Sequence, residues 1–315
     1  MFGKIVSSVV WSDATAPDGQ QLVPVDPLAL AADINTNGFA FLKGHDPGVP
    51  LGKVLRAAVF TSPGGTKFVA AILGYYAGGN RLSFRDLGFD PATVVSSPSL
   101  LPALTDACWI NFASDPREVE SAWLEDVLST APLRVERIEL SHNAAEPLQE
   151  LIRVGLLFMA LVWNPFITTI ATEAGKDAYA GIHRWLRTLF EKLAERHNPV
   201  VEIQSYHDEC QFSFIFRGTD VKRHYAAHDA LPVAVAQAEQ LAANMKSIGN
   251  TPKLILYEFH PQDDKWFPSY AELYDGRFVT DNNILIAVEQ LPSGLSLGLS
   301  RGKDKPRVPS VKRLS

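Results

Sequence analysis

Cysteine is scarce in this chain. Only two, Cys108 and Cys210, occur in 315 residues, which rules out a disulfide framework and leaves at most one bridge. Basic charge is also in short supply. Twenty-nine Lys and Arg face 35 Asp and Glu, for a net charge of −6. A protein that neutralises phosphates needs a basic face, and the one basic stretch here is the tail from Arg301 to Arg313. Nucleic acid is therefore not expected as a partner. No HExxH, Walker-type loop or GxGxxG is present, which removes the common signatures of zinc peptidases, P-loop enzymes and dinucleotide binders. No cofactor is assigned. The N-terminus MFGKIVSSVVWSD contains no apolar run of signal-peptide length, so the expected location is cytoplasmic.

Long uncharged runs are equally rare, with one exception. Residues 154–171, VGLLFMALVWNPFITTIA, carry no charge. A spanning helix needs about 20 apolar residues, and Asn164-Pro165 interrupts this run near its middle. The expectation is a buried helix over 148–163 and a second helix beginning near Pro165. The alternative is a membrane-associating element.

What is present is an ordinary globular composition, 46% hydrophobic and 20% charged. At about 100–200 residues per domain, the length predicts two. The patterning predicts an α+β protein: a β-rich module over 1–147, an α+β module with a mainly antiparallel sheet over 148–300, and a flexible basic tail over 301–315. Strands are expected at 6–11, 53–60, 67–76, 108–113 and 134–140. Asp26-Pro27 signals a helix start, and Ser114-Asp115-Pro116 signals another. In the second module, Tyr179, Ile182, Leu186, Leu189 and Leu193 form a helical stripe. A hairpin follows around His207-Asp208-Glu209. The Ala-rich helical stretch over 220–248 breaks at Pro232. The segments KLILYEF, RFVT and ILIAVEQL then complete a small sheet.

Three groupings carry chemical potential. The first is the loop Lys43-Gly44-His45-Asp46-Pro47-Gly48, followed by Pro50-Leu51-Gly52-Lys53-Val54 and preceded by VVWSDATAPDGQQLVPVDPLAL. This arrangement resembles the capsid-maturation (prohead) serine protease family of tailed phages, which has the herpesvirus assemblin fold. In that family a histidine shortly precedes a P-[IL]-G-[KR]-V strand. RVERIELSHNAAEP, with Glu139-Leu140-Ser141, is similar to a second family segment. The resemblance covers roughly residues 5–150. It implies an assemblin-like barrel and a serine peptidase-like protein of phage or prokaryotic origin, catalytic or degenerate, acting on a peptide bond. Its site would be His45 as base, Ser114 as nucleophile and Glu139 as the group orienting the imidazole. The sequence departs from the family pattern at the serine strand. If Phe112 aligns with the motif's phenylalanine, Trp109 stands at the nucleophile position. Ser83 is a further candidate, and Ser114 also reads as a helix N-cap.

The second grouping, His207-x2-Cys210-x13-His224-x3-His228, has the layout of a ββα zinc finger. Such fingers fold on their metal because their core is tiny. This module has ample apolar sequence, so no metal is expected. The third joins Trp266 to Tyr270 with Tyr274-Asp275-Gly276-Arg277: core packing at a sheet corner, or a ligand or partner surface. The alternative to a peptidase is thus a non-enzymatic binding or regulatory protein whose second module recognises a protein or peptide.

Overall fold

The computed structural model describes residues 2–13, 15, 21, 25–43, 46–79, 82–90, 109–116, 118–139, 150–156, 173–281 and 312–313. The chain is α+β and forms two compact units. One takes in Met1–Asn80 and the end of the chain, the other Arg81–Leu140 and Gln149–Asn282.

The first unit holds β1 (Lys4–Ser12), α1 (Pro27–Asn37), β2 (Phe39–Lys43), β3 (Asp46–Thr61) and β4 (Lys67–Tyr75). Asp26 caps α1 by accepting a hydrogen bond from the Ala29 N–H at 2.8 Å, and Pro27 occupies the first turn, where its missing donor is not needed. β4 lies between β1 and β3, antiparallel to both. β2 pairs with the other edge of β3. One face of this sheet buries Trp11, Val54, Val69, Ala71 and Leu73 with Ala31 and Ile34 of α1. Among the described residues the pairings form a path with two ends, β1-β4-β3 with β2 beside β3; no barrel closure is among them.

The second unit is built on an eight-stranded sheet. Its elements are β5 (Trp109–Ser114), α2 (Ser121–Leu128), β6 (Arg134–Glu139), β7 (Glu150–Leu156), α3 (Glu173–Leu193), β8 (Pro199–His207), β9 (Cys210–Arg217), α4 (Val221–Asp229), α5 (Leu231–Ser247), β10 (Pro252–His260), β11 (Lys265–Leu273) and β12 (Phe278–Val279). The strand order is β12-β11-β10-β9-β8-β7-β5-β6. Four neighbour pairs are antiparallel and three parallel. Every parallel pair has helix between its strands in sequence: α2 between β5 and β6, α3 between β7 and β8, α4 and α5 between β9 and β10. A parallel neighbour demands such a return path. The stripe on α3, Ile182, Leu186, Leu189 and Leu193, packs into one core with Ile110, Phe112, Val201, Ile203, Phe212, Phe214 and Phe216.

Four expectations are corrected here. The units do not divide at a single cut at 147/148; the second already begins at Arg81, because β7 pairs with β5 on one side and β8 on the other and so draws 109–139 into the second sheet. Residues 150–156 are strand β7, not helix. A short apolar run reads equally as buried helix or central strand, and two flanking partners decide for the strand. The helix expected after Ser114 begins at Ser121. Finally, the tail is not wholly unstructured, since Lys312–Arg313 forms β13 and pairs antiparallel with Phe60 and Thr61 of β3.

The strand expected at residues 284–291, and residues 157–171 of the uncharged run, lie outside the described residues. No helix among the described residues is long and apolar enough to cross a membrane.

Candidate functional site

Of the three residues assigned to a serine triad, Ser114 and Glu139 are among the described residues. His45 lies outside the described residues; its flanking strands β2 and β3 belong to the first unit. Ser114 and Glu139 belong to the second. Ser114 ends β5 and is register partner to Glu139 in parallel β6 and to Ile152 in β7. Ser114 is 6% exposed. It does not cap the following helix: the N-cap of α2 is Glu120, and the turn between them is closed by the Asp115 carbonyl, which accepts from the Glu118 and Val119 N–H groups at 3.0 Å each. Ser83 is also buried, and its hydroxyl accepts from the Asp86 N–H at 3.0 Å, a local turn role.

The finger-like grouping is not assembled either. Cys210 begins β9, and His224 Nε2 lies 3.3 Å from the carbonyl of Arg217, which ends it. That strand length separates them by roughly 23 Å at about 3.3 Å per residue. Burial pushes the Cys210 thiol up to about 12, so it is inert at neutral pH. Cys108 is outside the described residues.

The structure instead gathers His224 and His228 of that grouping with His183, which no sequence motif marked. His183 on α3 and His228 in the last turn of α4 stack with ring centroids 4.4 Å apart and planes at 27°. His228 is fully buried, wedged edge-on against Phe190 at 5.5 Å. His224, one turn earlier on α4, packs on Phe190 at 5.4 Å and Phe216 at 6.0 Å. Asp229 follows His228 and accepts two hydrogen bonds from Arg187 Nη2, at 2.7 and 2.8 Å. The Arg187 guanidinium also lies 4.4 Å over the Tyr225 ring, and the Tyr225 hydroxyl donates to Glu191.

Burial governs the protonation of all three histidines. Desolvation lowers His183, with Arg187 adding to the effect and Asp229 opposing it. His228 sits well below the ordinary range through burial, then His183 and Arg187. His224 is lowered by burial against the upward pull of its hydrogen bond to the Arg217 carbonyl, with Arg223 and Asp220 pulling in opposite senses. At neutral pH the cluster is a set of uncharged imidazoles. The only sequence signal for His183 was its place one residue after Ile182, within the α3 apolar stripe.

The β8–β9 hairpin carries a polar ladder. Buried Glu202, 3% exposed, accepts from Ser213 Oγ at 2.8 Å and from Gln204 Nε2 at 2.7 Å. Gln211 Nε2 donates to Ser213 Oγ at 2.9 Å, and the Tyr206 hydroxyl donates to Gln211 Oε1 at 3.0 Å. The ladder ends at the surface, with Tyr206 47% exposed. The connecting turn holds Asp208 and Glu209 at φ 46° and 67°. Two consecutive positive φ values are the pattern of a type I′ turn, which favours Asn or Asp first and Gly second; Asp208 suits its place, and Glu209 in the glycine position is strained. The Tyr274 hydroxyl steadies the turn by donating to the Glu209 carbonyl at 2.9 Å, and Tyr274 itself is exposed. Trp266 and Tyr270, by contrast, are buried, so the aromatic grouping is divided between core and surface.

No family model, curated protein or solved structure matches this chain.

Proposed function

We propose that this chain is a non-enzymatic binding protein whose second unit recognises a protein partner at the β8–β9 end of the sheet. The observation that carries this reading is the acidic turn strained at Glu209, held by Tyr274 and flanked by the exposed Tyr206. Backbone strain is retained where something other than stability uses it, and exposed, rotationally simple tyrosines are favoured as interface anchors. Asp208 and Glu209 are exposed beside them, so the partner surface suited to this end presents Arg or Lys. The test is affinity capture from the cells that make the protein, using the intact chain and the Tyr206→Ala/Tyr274→Ala variant. Partner recovery is expected to fall about tenfold or more in the variant, as for the loss of anchor residues, and to weaken with added salt. A variant that recovers the same partner at undiminished yield sinks the assignment of this surface.

A second reading, a serine peptidase-like protein, is favoured by one feature: Ser114 and Glu139, distant in sequence, are direct register partners. Against it stands the burial of Ser114, since a nucleophile must be within reach of substrate. A fluorophosphonate probe separates the two. No labelling of the folded chain is expected. Labelling that disappears in both Ser114→Ala and His45→Ala would restore the peptidase reading.

A further inference from the structure

We propose that His183, His228 and Asp229 form a binding site for a divalent transition-metal ion of the zinc type. One donor atom from each residue lies within 4.8 Å of the other two. Zinc holds imidazole nitrogen at about 2.0–2.1 Å and carboxylate oxygen at about 2.0–2.2 Å, which places donors about 3–4 Å apart. Ion binding therefore draws the three side chains together by the remaining difference. A bound ion lies in the plane of each imidazole it binds, so the stacked rings open from their 27° arrangement as the ion enters.

Independent observations point to the same place. His183 Nδ1 is buried and has no hydrogen-bond partner among the described residues; buried polar atoms are rarely left so. His228 and Asp229 also sit at the C-terminal end of α4, Val221–Asp229, where the last carbonyls carry partial negative charge and favour a cation. The imidazoles are held neutral by burial, and the neutral form is the one that ligates. Arg187 occupies Asp229 in the metal-free chain. Its guanidinium already rests on the Tyr225 ring and keeps that seat when the carboxylate turns to the ion. Three protein ligands leave a fourth position open to water or to a further donor. The site is therefore a competition between a guanidinium and a metal ion for one carboxylate.

The experiment uses the tag-free full chain, stripped with chelator, titrated with Co2+ by visible absorption and with Zn2+ by calorimetry. The expected result is one ion per chain, with cobalt d–d bands that zinc displaces. His183→Ala and Asp229→Ala should each weaken binding about tenfold or more with an unchanged far-ultraviolet spectrum. Arg187→Ala should tighten it, because the competitor for Asp229 is gone. His197→Ala and His260→Ala, which alter exposed histidines elsewhere, should change nothing. Absence of stoichiometric binding by the wild type overturns the proposal. So does binding undiminished in both His183→Ala and Asp229→Ala, or binding lost in His197→Ala or His260→Ala.

Discussion

Replacing Trp266 by alanine is expected to destabilise the second unit by about 3–5 kcal/mol, the range for deleting a fully packed aromatic. Trp266 is 3% exposed and meets three aromatic rings edge-on: Phe214 at 5.3 Å, Phe216 at 5.1 Å and Phe259 at 5.5 Å. Its indole N–H donates to the Ala227 carbonyl at 2.8 Å. Ala227 lies near the end of α4, where carbonyls lose their intrahelical partners, so the substitution combines a cavity with a lost hydrogen bond. Urea unfolding should show a lower midpoint with an unchanged slope. Tyr274→Ala, at an exposed position, should shift the midpoint far less. Equal shifts for the two variants would mean that Trp266 is not the keystone of this core.

Acidification is expected to destabilise the metal-free chain as the pH falls below about 6.5, the ordinary histidine value. The sign follows from the direction of the shifts. His224 and His228 are both held below that value in the folded state, with burial as the leading cause. Above it, neither the folded nor the unfolded chain binds the proton, and stability is full. Below it, the unfolded chain takes up protons that the fold refuses. Each such proton adds a slope of about 1.4 kcal/mol per pH unit until the folded-state value is passed. The surroundings of His224 set its share: Phe190 and Phe216 pack against it, the Arg217 carbonyl lies at Nε2, and Arg223 and Asp220 lie on its own helix or cap. His228 faces His183, Arg187 and Phe190. Thermal unfolding in chelator from pH 8 to pH 5 reads the effect. His224→Phe removes one titrating group from an aromatic niche, so its melting temperature should fall less steeply with acid. A variant whose profile runs parallel to the wild type would show that His224 does not contribute.

These expectations depend on features of very different visibility in the chain. The Asp26-Pro27 helix start, the β3–β4 hairpin and the α3 stripe were legible because each is local: a cap, a turn dipeptide and a 3.6-residue period act within a few residues of themselves. The β8–β9 hairpin was legible for the same reason, with Phe212, Phe214 and Phe216 falling on one face. Trp266 to Tyr270 read as packing at a sheet corner, whereas the fold makes the segment part of strand β11; Pro268 sits where the β10–β11 register shifts, one of the few places a sheet admits it.

By itself, then, the sequence determined the α+β class, most of the individual elements and the exclusion of a disulfide framework. Only the tertiary structure decided how they group. Glu150–Leu156 became a strand because β5 and β8 were both available to bond it, and that pairing moved 109–139 into the second unit. The serine expected as a nucleophile became a buried strand end by the same act. The histidine cluster belongs to this category too. His183 and His228 lie on helices that are far apart in the chain and adjacent in the fold, and their contact arises from packing α3 and α4 on one core. Periodicity assigns each histidine to a helix face, but which faces meet is set by the long-range burial of apolar surface, and that is where the candidate site was made.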